Sequence, residues 1–225
     1  MSTMDWSRVF SLLAHELRSP SAVIGGYARM LSGGRLSEDD RLQAYAQMER
    51  AAGRIASIGH QAADLARWLN PATDGASPIA LNALVTQARS KSAAPERVKT
   101  DDSIEQSALK VSALDRGALT NAVTAAIDAV CREVTEDDVR MVARVDREAG
   151  ACDILVGPAE ALTDLHDRAP RDGSTVTQVS AEREGLGLAL IVSAVVLLAH
   201  GGQLSTVGGR RDVIALRLRT EAEVV

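Results

Sequence analysis

The stretch FSLLAHELRSPSAVIGG, Phe10 to Gly26, holds the residues best placed to do chemistry. His15 supplies an imidazole, which is nucleophilic near neutral pH while it is uncharged. Glu16 beside it is a carboxylate able to orient that ring or accept its other proton. If Phe10 and Leu13 belong to a buried helical seam, His15 takes the outermost position and points to solvent. Arg8, His15, Ala22 and Arg29 then share one outer row, with Ser11, Arg18 and Ser19 one turn away on the same side. Arginines along such a stripe attract an acidic partner or a phosphoryl group.

The elements that must carry this row follow from apolar spacing. Phe10, Leu13, Leu17, Ile24, Tyr27 and Leu31 recur at three and four residues, a heptad seam in which Pro20 fills the missing slot and predicts a kink one turn beyond His15. Ser32-Gly33-Gly34 breaks the pattern, and Ser37 with Glu38, Asp39 and Asp40 gives a second helix its cap and first-turn acids. Ala44, Met48, Ala51, Ile55, Ile58, Ala62, Leu65 and Leu69 continue the spacing. The expectation for residues 1–70 is an antiparallel helical hairpin. One hairpin cannot bury its own stripe, so a homodimeric four-helix bundle is expected.

Residues 71–78 have linker composition. Beyond them, 79–225 reads as a mixed domain, making the whole chain α+β. Helices are expected over Ile79 to Ser92, Asp115 to Glu133 and Gly187 to Ala199, the last capped by Gly201-Gly202. Strands are expected over Ala108 to Leu114, Asp138 to Asp146, Cys152 to Val156, Gln203 to Val207 and Val213 to Arg219.

Composition narrows the function. Twenty-five basic against 30 acidic residues leave a net charge of −5, which argues against a nucleic-acid partner. No apolar run is long enough for a membrane span and no leader pattern opens the chain, so a cytoplasmic protein without a membrane partner is expected. Cys131 and Cys152 are too few and too far apart for a metal cluster or a disulfide scaffold, and both read as core residues. Of the other histidines, His60 reads as a solvated side chain, His166 as part of a polar loop, and His200 as a donor in a helix's last turn.

HELRSP within an amphipathic helix resembles the phosphoacceptor box of bacterial sensor histidine kinases, and GLGLALIVSAVVLLAHGG, Gly185 to Gly202, resembles the second glycine box of their ATP-binding domain. The resemblance implies a sandwich of the histidine-kinase ATPase type after the hairpin. It also implies that an asparagine-bearing helix should hold Mg²⁺ and an Asp-x-Gly-x-Gly strand end should read adenine. Counting from Asp115, the two asparagine positions hold Ala125 and Ala129, and Asn121 has no assigned role. At the strand end Gly157 is kept, but Leu155 stands for the adenine-reading Asp and Ala159 for the second glycine, with Asp153 two residues early. Gly157, Gly185 and Gly187 are thus a vestigial nucleotide site. Phosphoryl transfer from ATP needs Mg²⁺ and fixed donors.

The resemblance, with these departures, implies a histidine phosphotransferase of a phosphorelay. His15 accepts a phosphoryl group from one receiver domain's aspartyl phosphate and passes it to another receiver, Glu16 tunes the ring, and Arg8, Ser11, Arg18, Ser19 and Ala22 meet the partner. No cofactor or metal is expected on this chain, and Mg²⁺ belongs to the partner receiver. The alternatives are an active ATP-dependent histidine kinase, a receiver phosphatase in which Ser19 orients water, and a non-catalytic receiver-binding adaptor.

Overall fold

The computed structural model describes residues 6–34, 36–69, 77–134, 138–166, 187–207, 210 and 212–221; the side chains of Arg8 and of residues 164–166 lie outside that description. The chain divides into two compact units, 1–66 and 67–225.

In the first unit, α1 (Trp6–Ser32) is followed by α2 (Glu38–Leu69), whose last turn belongs to the second unit. The break between them is built from the residues that predicted it. Gly34 adopts a positive φ of 68°, open to glycine at no steric cost, and the Gly33 N–H donates to Arg29 and Met30 carbonyls. Ser37 caps α2 by accepting from the Asp40 N–H at 3.2 Å, and its hydroxyl donates to Asp40 Oδ2 at 2.6 Å. α1 runs unbroken through Pro20, which is buried.

The buried row of α1 keeps Pro20 of the expected seam but moves by one residue at its N-terminal end, with Leu13 and Leu17 only half-buried. Val9, Glu16 and Pro20 are the buried positions, whereas Phe10 is 65% exposed. On α2 the buried positions are Ala44, Ala51, Ile58, Leu65 and Trp68; the first four lie within the expected set, Trp68 lies outside it, and Leu69 is exposed. Val9 and Phe10 are both apolar and adjacent, so two stripes run side by side on α1. The α2 seam meets one of them, and the other, Trp6 and Phe10, stays open with the rings 6.3 Å apart.

The second unit holds a five-stranded sheet in the order β2-β4-β5-β7-β6 and a two-stranded pair β1-β3. Their ranges are β1 (Ser77–Ala80), β2 (Val98–Thr100), β3 (Lys110–Ala113), β4 (Val139–Asp146), β5 (Ala151–Pro158), β6 (Gln203–Thr206) and β7 (Ile214–Arg219). β2 runs parallel to β4 and the remaining pairs are antiparallel. The helices are α3 (Leu81–Lys91), α4 (Asp102–Glu105), α5 (Arg116–Glu133), α6 (Ala159–His166) and α7 (Gly187–Ala199), with a 3₁₀ turn at Pro95–Arg97. α5 lies between α3 and α7 and over β5 and β7. Alternation sends Cys152, Ile154 and Val156 of β5, and Ile214, Leu216 and Leu218 of β7, to that helix-covered face.

Three expectations need correction. The helix expected from Ile79 begins at Leu81, because Ser77–Ala80 pairs with β3 and sets Ile79 opposite Val111. β2, α4 and the 3₁₀ turn were not expected, since three or four residues contain no full period. His166 ends α6 and does not lie in a loop, because Ala161 and Leu162 give that segment a buried face. The glycine cap on α7 forms as expected: Gly201 has φ 72° and the Gly202 N–H donates to Leu197 O at 2.7 Å. A side chain at Gly202 would stand 2.2 Å from the Arg217 carbonyl oxygen, so only glycine fits there.

Candidate functional site

His15 lies in the middle of the first half of α1 and is exposed. Successive helix residues are about 100° apart, so the row facing α2 at Val9, Glu16 and Pro20 leaves His15 on the outer side. Ser11, Ala14, Arg18, Ser19 and Ala22 are exposed too and lie within two turns of the imidazole, four small side chains and one guanidinium group, while Arg29 is exposed about four turns further along the helix. Arg8, assigned to the same row, has a side chain outside the described residues. Among the described residues no hydrogen bond or ion pair engages the His15 ring, and a free ring nitrogen is what an incoming electrophile requires. His60 is exposed on α2.

Glu16 departs from its assigned part. It is only 7% exposed, and its Oε2 lies 3.5 Å from Nη2 of Arg54 on α2. The carboxylate is therefore committed across the hairpin and not to the neighbouring ring. Arg54 was missed in the sequence. Seam spacing from Val9 to Glu16 to Pro20 would have found it, because a carboxylate in a seam calls for a cation opposite.

In the second unit the positions aligned with nucleotide chemistry are filled differently. Ala129 is buried and Ala125 half-buried in α5. Asn121 is exposed, its Oδ1 accepting from Lys91 Nζ at 3.2 Å. Leu155 is buried in an apolar cluster with Ala161, Leu162, Val207, Val213 and Ala215, with Val142 against it. Gly157 stands at the edge of the same cluster, where an added Cβ would be 3.0 Å from Val213 Cγ2 and 3.3 Å from the Asp212 carbonyl oxygen. Asp153 shares the strand face of Leu155 but is held by Arg217, whose Nη1 lies 3.4 Å from its Oδ2. Burial raises the Asp153 carboxyl above its ordinary range, and the Arg217 charge opposes that shift. Gly187 is buried at the start of α7, and Gly185 lies outside the described residues. Both thiols are buried, and burial pushes Cys152 up to about 12, which makes it an inert core residue.

His200 is structural. Its Nδ1 lies 2.7 Å from Val196 O and its Nε2 accepts from the Asp115 N–H at 3.2 Å, so the ring is fixed in one neutral tautomer. Arg67 and Trp68, the first residues of the second unit, complete the cluster. Arg67 Nη2 lies 3.1 Å from Asp115 Oδ2, and the Trp68 and His200 rings are 5.2 Å apart.

The element order and sheet define the fold of a histidine-kinase core, a helical N-terminal region followed by an α+β domain of the ATPase type. The Acinetobacter baumannii histidine kinase AdeS superposes with a TM-score of 0.65 at 13% identity, over 92% of this chain and 98% of that one. Full-length ShkA in complex with AMPPNP gives a TM-score of 0.55 at 18% identity, over 96% of this chain and 46% of that one. At these identities the likeness is one of fold. No protein-family model and no curated protein sequence matches the chain. Among the described residues no helix is long and apolar enough to cross a membrane.

Proposed function

We propose that this chain is a histidine phosphotransferase of a two-component phosphorelay. The likeness in fold to histidine kinases supports a role in two-component signalling in general. The observation that favours transfer over ATP-dependent autophosphorylation is Leu155, buried in an apolar cluster at the position where the kinase resemblance calls for an adenine-reading carboxylate.

In this reading a receiver domain brings its aspartyl phosphate, with its Mg²⁺, to the outer row of α1. The unprotonated ring nitrogen of His15 attacks phosphorus. A P–N bond forms as the P–O bond to the receiver's aspartate breaks, and the aspartate leaves as a free carboxylate. The reverse step loads a second receiver. Arg18, with Arg8 on the same helix, contributes positive charge beside the transferring group, while Ser11, Ala14, Ser19 and Ala22 let the receiver's acidic pocket close over the ring. The hairpin acts as a homodimer, a second copy covering the Trp6 and Phe10 stripe.

The test mixes the chain with a phosphorylated receiver and follows the label. The expected result is acid-labile phosphate on the wild type and none on His15→Gln. Label retained by His15→Gln would transfer the role to another histidine. Self-labelling from Mg-ATP alone would make the chain a kinase, and receiver binding without movement of label would make it an adaptor.

A further inference from the structure

His200, Asp115, Arg67 and Trp68 close a circuit at the end of α7. The His200 ring lies between the last turn of α7 and the start of α5: its Nδ1–H donates to Val196 O at 2.7 Å, and its Nε2 accepts from the Asp115 N–H at 3.2 Å. The Trp68 ring stands 5.2 Å from it. Arg67 lies over that indole, its guanidinium carbon 5.3 Å from the ring centre, and reaches Asp115 Oδ2 at 3.1 Å. His200 and Trp68 are both buried. Arg67, Trp68 and Leu69 form the turn through which α2 enters the second unit, so the circuit holds the beginning of that unit against α5 and α7.

The circuit closes only around a neutral imidazole. One ring nitrogen must donate and the other accept, whereas an imidazolium donates from both. A second proton on Nε2 would point at the Asp115 N–H, itself a donor, and the bond would become a repulsion. The carbonyl end of α7 favours a cation, but the ring already gives its Nδ1–H there. The charged groups around the ring offer Nε2 no replacement acceptor. At the start of α5, Asp115 Oδ1 accepts from the Ala118 N–H and Oδ2 from Arg67, and the neighbouring Arg116 donates to Pro78 O. On β7, Arg219 reaches the adjacent Gly201, where an added Cβ would be 3.5 Å from its Cδ. α7 itself carries no charged side chain. A charge gained at His200 thus joins Arg67, Arg116 and Arg219 against a single, committed carboxylate.

We propose that His200 is a pH-operated latch: proton uptake by its imidazole frees the last turn of α2, Arg67–Leu69, from the start of α5 and the end of α7. The direction follows from proton counting. The closed latch holds one proton fewer on His200 than the open one, so lowering the pH favours the open form. The relevant interval is the one in which imidazoles exchange protons, between about pH 8 and about pH 5. Across it the Asp115 carboxyl stays ionised, because the Ala118 N–H holds it below its ordinary range, and Arg67 keeps its charge. Within the circuit only the imidazole changes charge. The latch is separate from His15, and nothing in it takes part in phosphoryl transfer.

Hydrogen exchange of the full chain is followed by mass spectrometry at about pH 8 and about pH 5, corrected for the intrinsic pH dependence of amide exchange. Protection at Arg67–Leu69 and at Asp115–Ala118 is expected to fall roughly tenfold toward acid, the loss of one hydrogen bond and of the stacking it holds, while protection in α3 and β5 stays unchanged. His200→Gln keeps an acceptor near the Nε2 position but cannot take up a proton, so its protection is expected to be equal at both pH values. Nitrogen NMR of the histidine rings gives a reading that needs no variant: in the wild type His200 should gain its second proton over the same interval in which protection falls. Equal protection of the wild type at both pH values, the same loss in His200→Gln that circular dichroism shows to be folded, a loss spread across the whole second unit, or a His200 ring still neutral where protection has fallen would each overturn the proposal.

Discussion

Arg54 Nη2 stands 3.5 Å from Glu16 Oε2, pairing a half-exposed cation on one helix of the hairpin with a carboxylate that the other helix buries. The pair joins α1 to α2 one residue beyond His15, and it gives Glu16 an occupation other than proton transfer. A buried acid deprived of its cation is costly, whereas a neutral amide of the same shape is not. Arg54→Ala is therefore expected to destabilise the hairpin by about 1–3 kcal/mol in thermal or urea melts. Glu16→Gln is expected to accept phosphate from a receiver nearly as fast as wild type. If Glu16 instead acts as a general base toward His15, the same variant would slow by roughly 100-fold or more.

The open stripe of α1 gives the second expectation. Phe10 is large and mostly exposed beside Trp6, as a residue is when a second copy covers it. Phe10→Asp is expected to convert a dimer to a monomer in sedimentation at micromolar concentration while leaving helix content by circular dichroism unchanged. A wild type that already sediments as a monomer would refute the bundle.

Reinstalling the acid that the resemblance calls for should not restore a nucleotide site. Leu155→Asp loses the packing of a buried leucine and places a carboxylate among Leu162, Val207, Val213 and Ala215. A loss of at least about 3 kcal/mol is expected in urea melts. Isothermal titration with Mg-ATP should show no gain over wild type, and recovered micromolar binding would mean the cluster can open.

Asp115 sets an acid limit on the second unit. Its Oδ1 accepts from the Ala118 N–H at 3.0 Å at the start of α5, and that bond, aided by the Gly117 N–H and by Arg67, holds its carboxyl below the ordinary value of 3.8. A depressed folded value stabilises the fold above the unfolded pKa, and this contribution is lost as pH falls from about 4 downward through the folded value. Asp115→Asn keeps a cap but removes the titration. Its melting temperature should therefore fall less steeply than that of the wild type below pH 4, and parallel curves would assign the acid sensitivity to other groups.

The hairpin is readable in the sequence because its signals are local and redundant: heptad spacing on both sides of a Gly-Gly break, and a serine followed by three acids. The one-residue error at the N-terminal end of the α1 seam has a physical origin. Val9 and Phe10 head adjacent stripes, and spacing alone does not say which meets the intramolecular helix and which is left for a second copy. Ala125, Ala129 and Leu155 mark the departures from a nucleotide site by residue type. What fills the space at Leu155 is not readable, because Ala161, Leu162, Val207, Val213 and Ala215 come together only in three dimensions.

Every aromatic residue other than Trp68 lies before it in the chain, so the second unit carries a single indole, 5% exposed and stacked near His200. In a Trp6→Phe background this indole becomes the chain's sole tryptophan fluorophore. A red shift of its emission would time the loosening of the second unit alone, while far-ultraviolet dichroism at the same denaturant concentration follows both units. One chain thus yields two melting records without attached dyes.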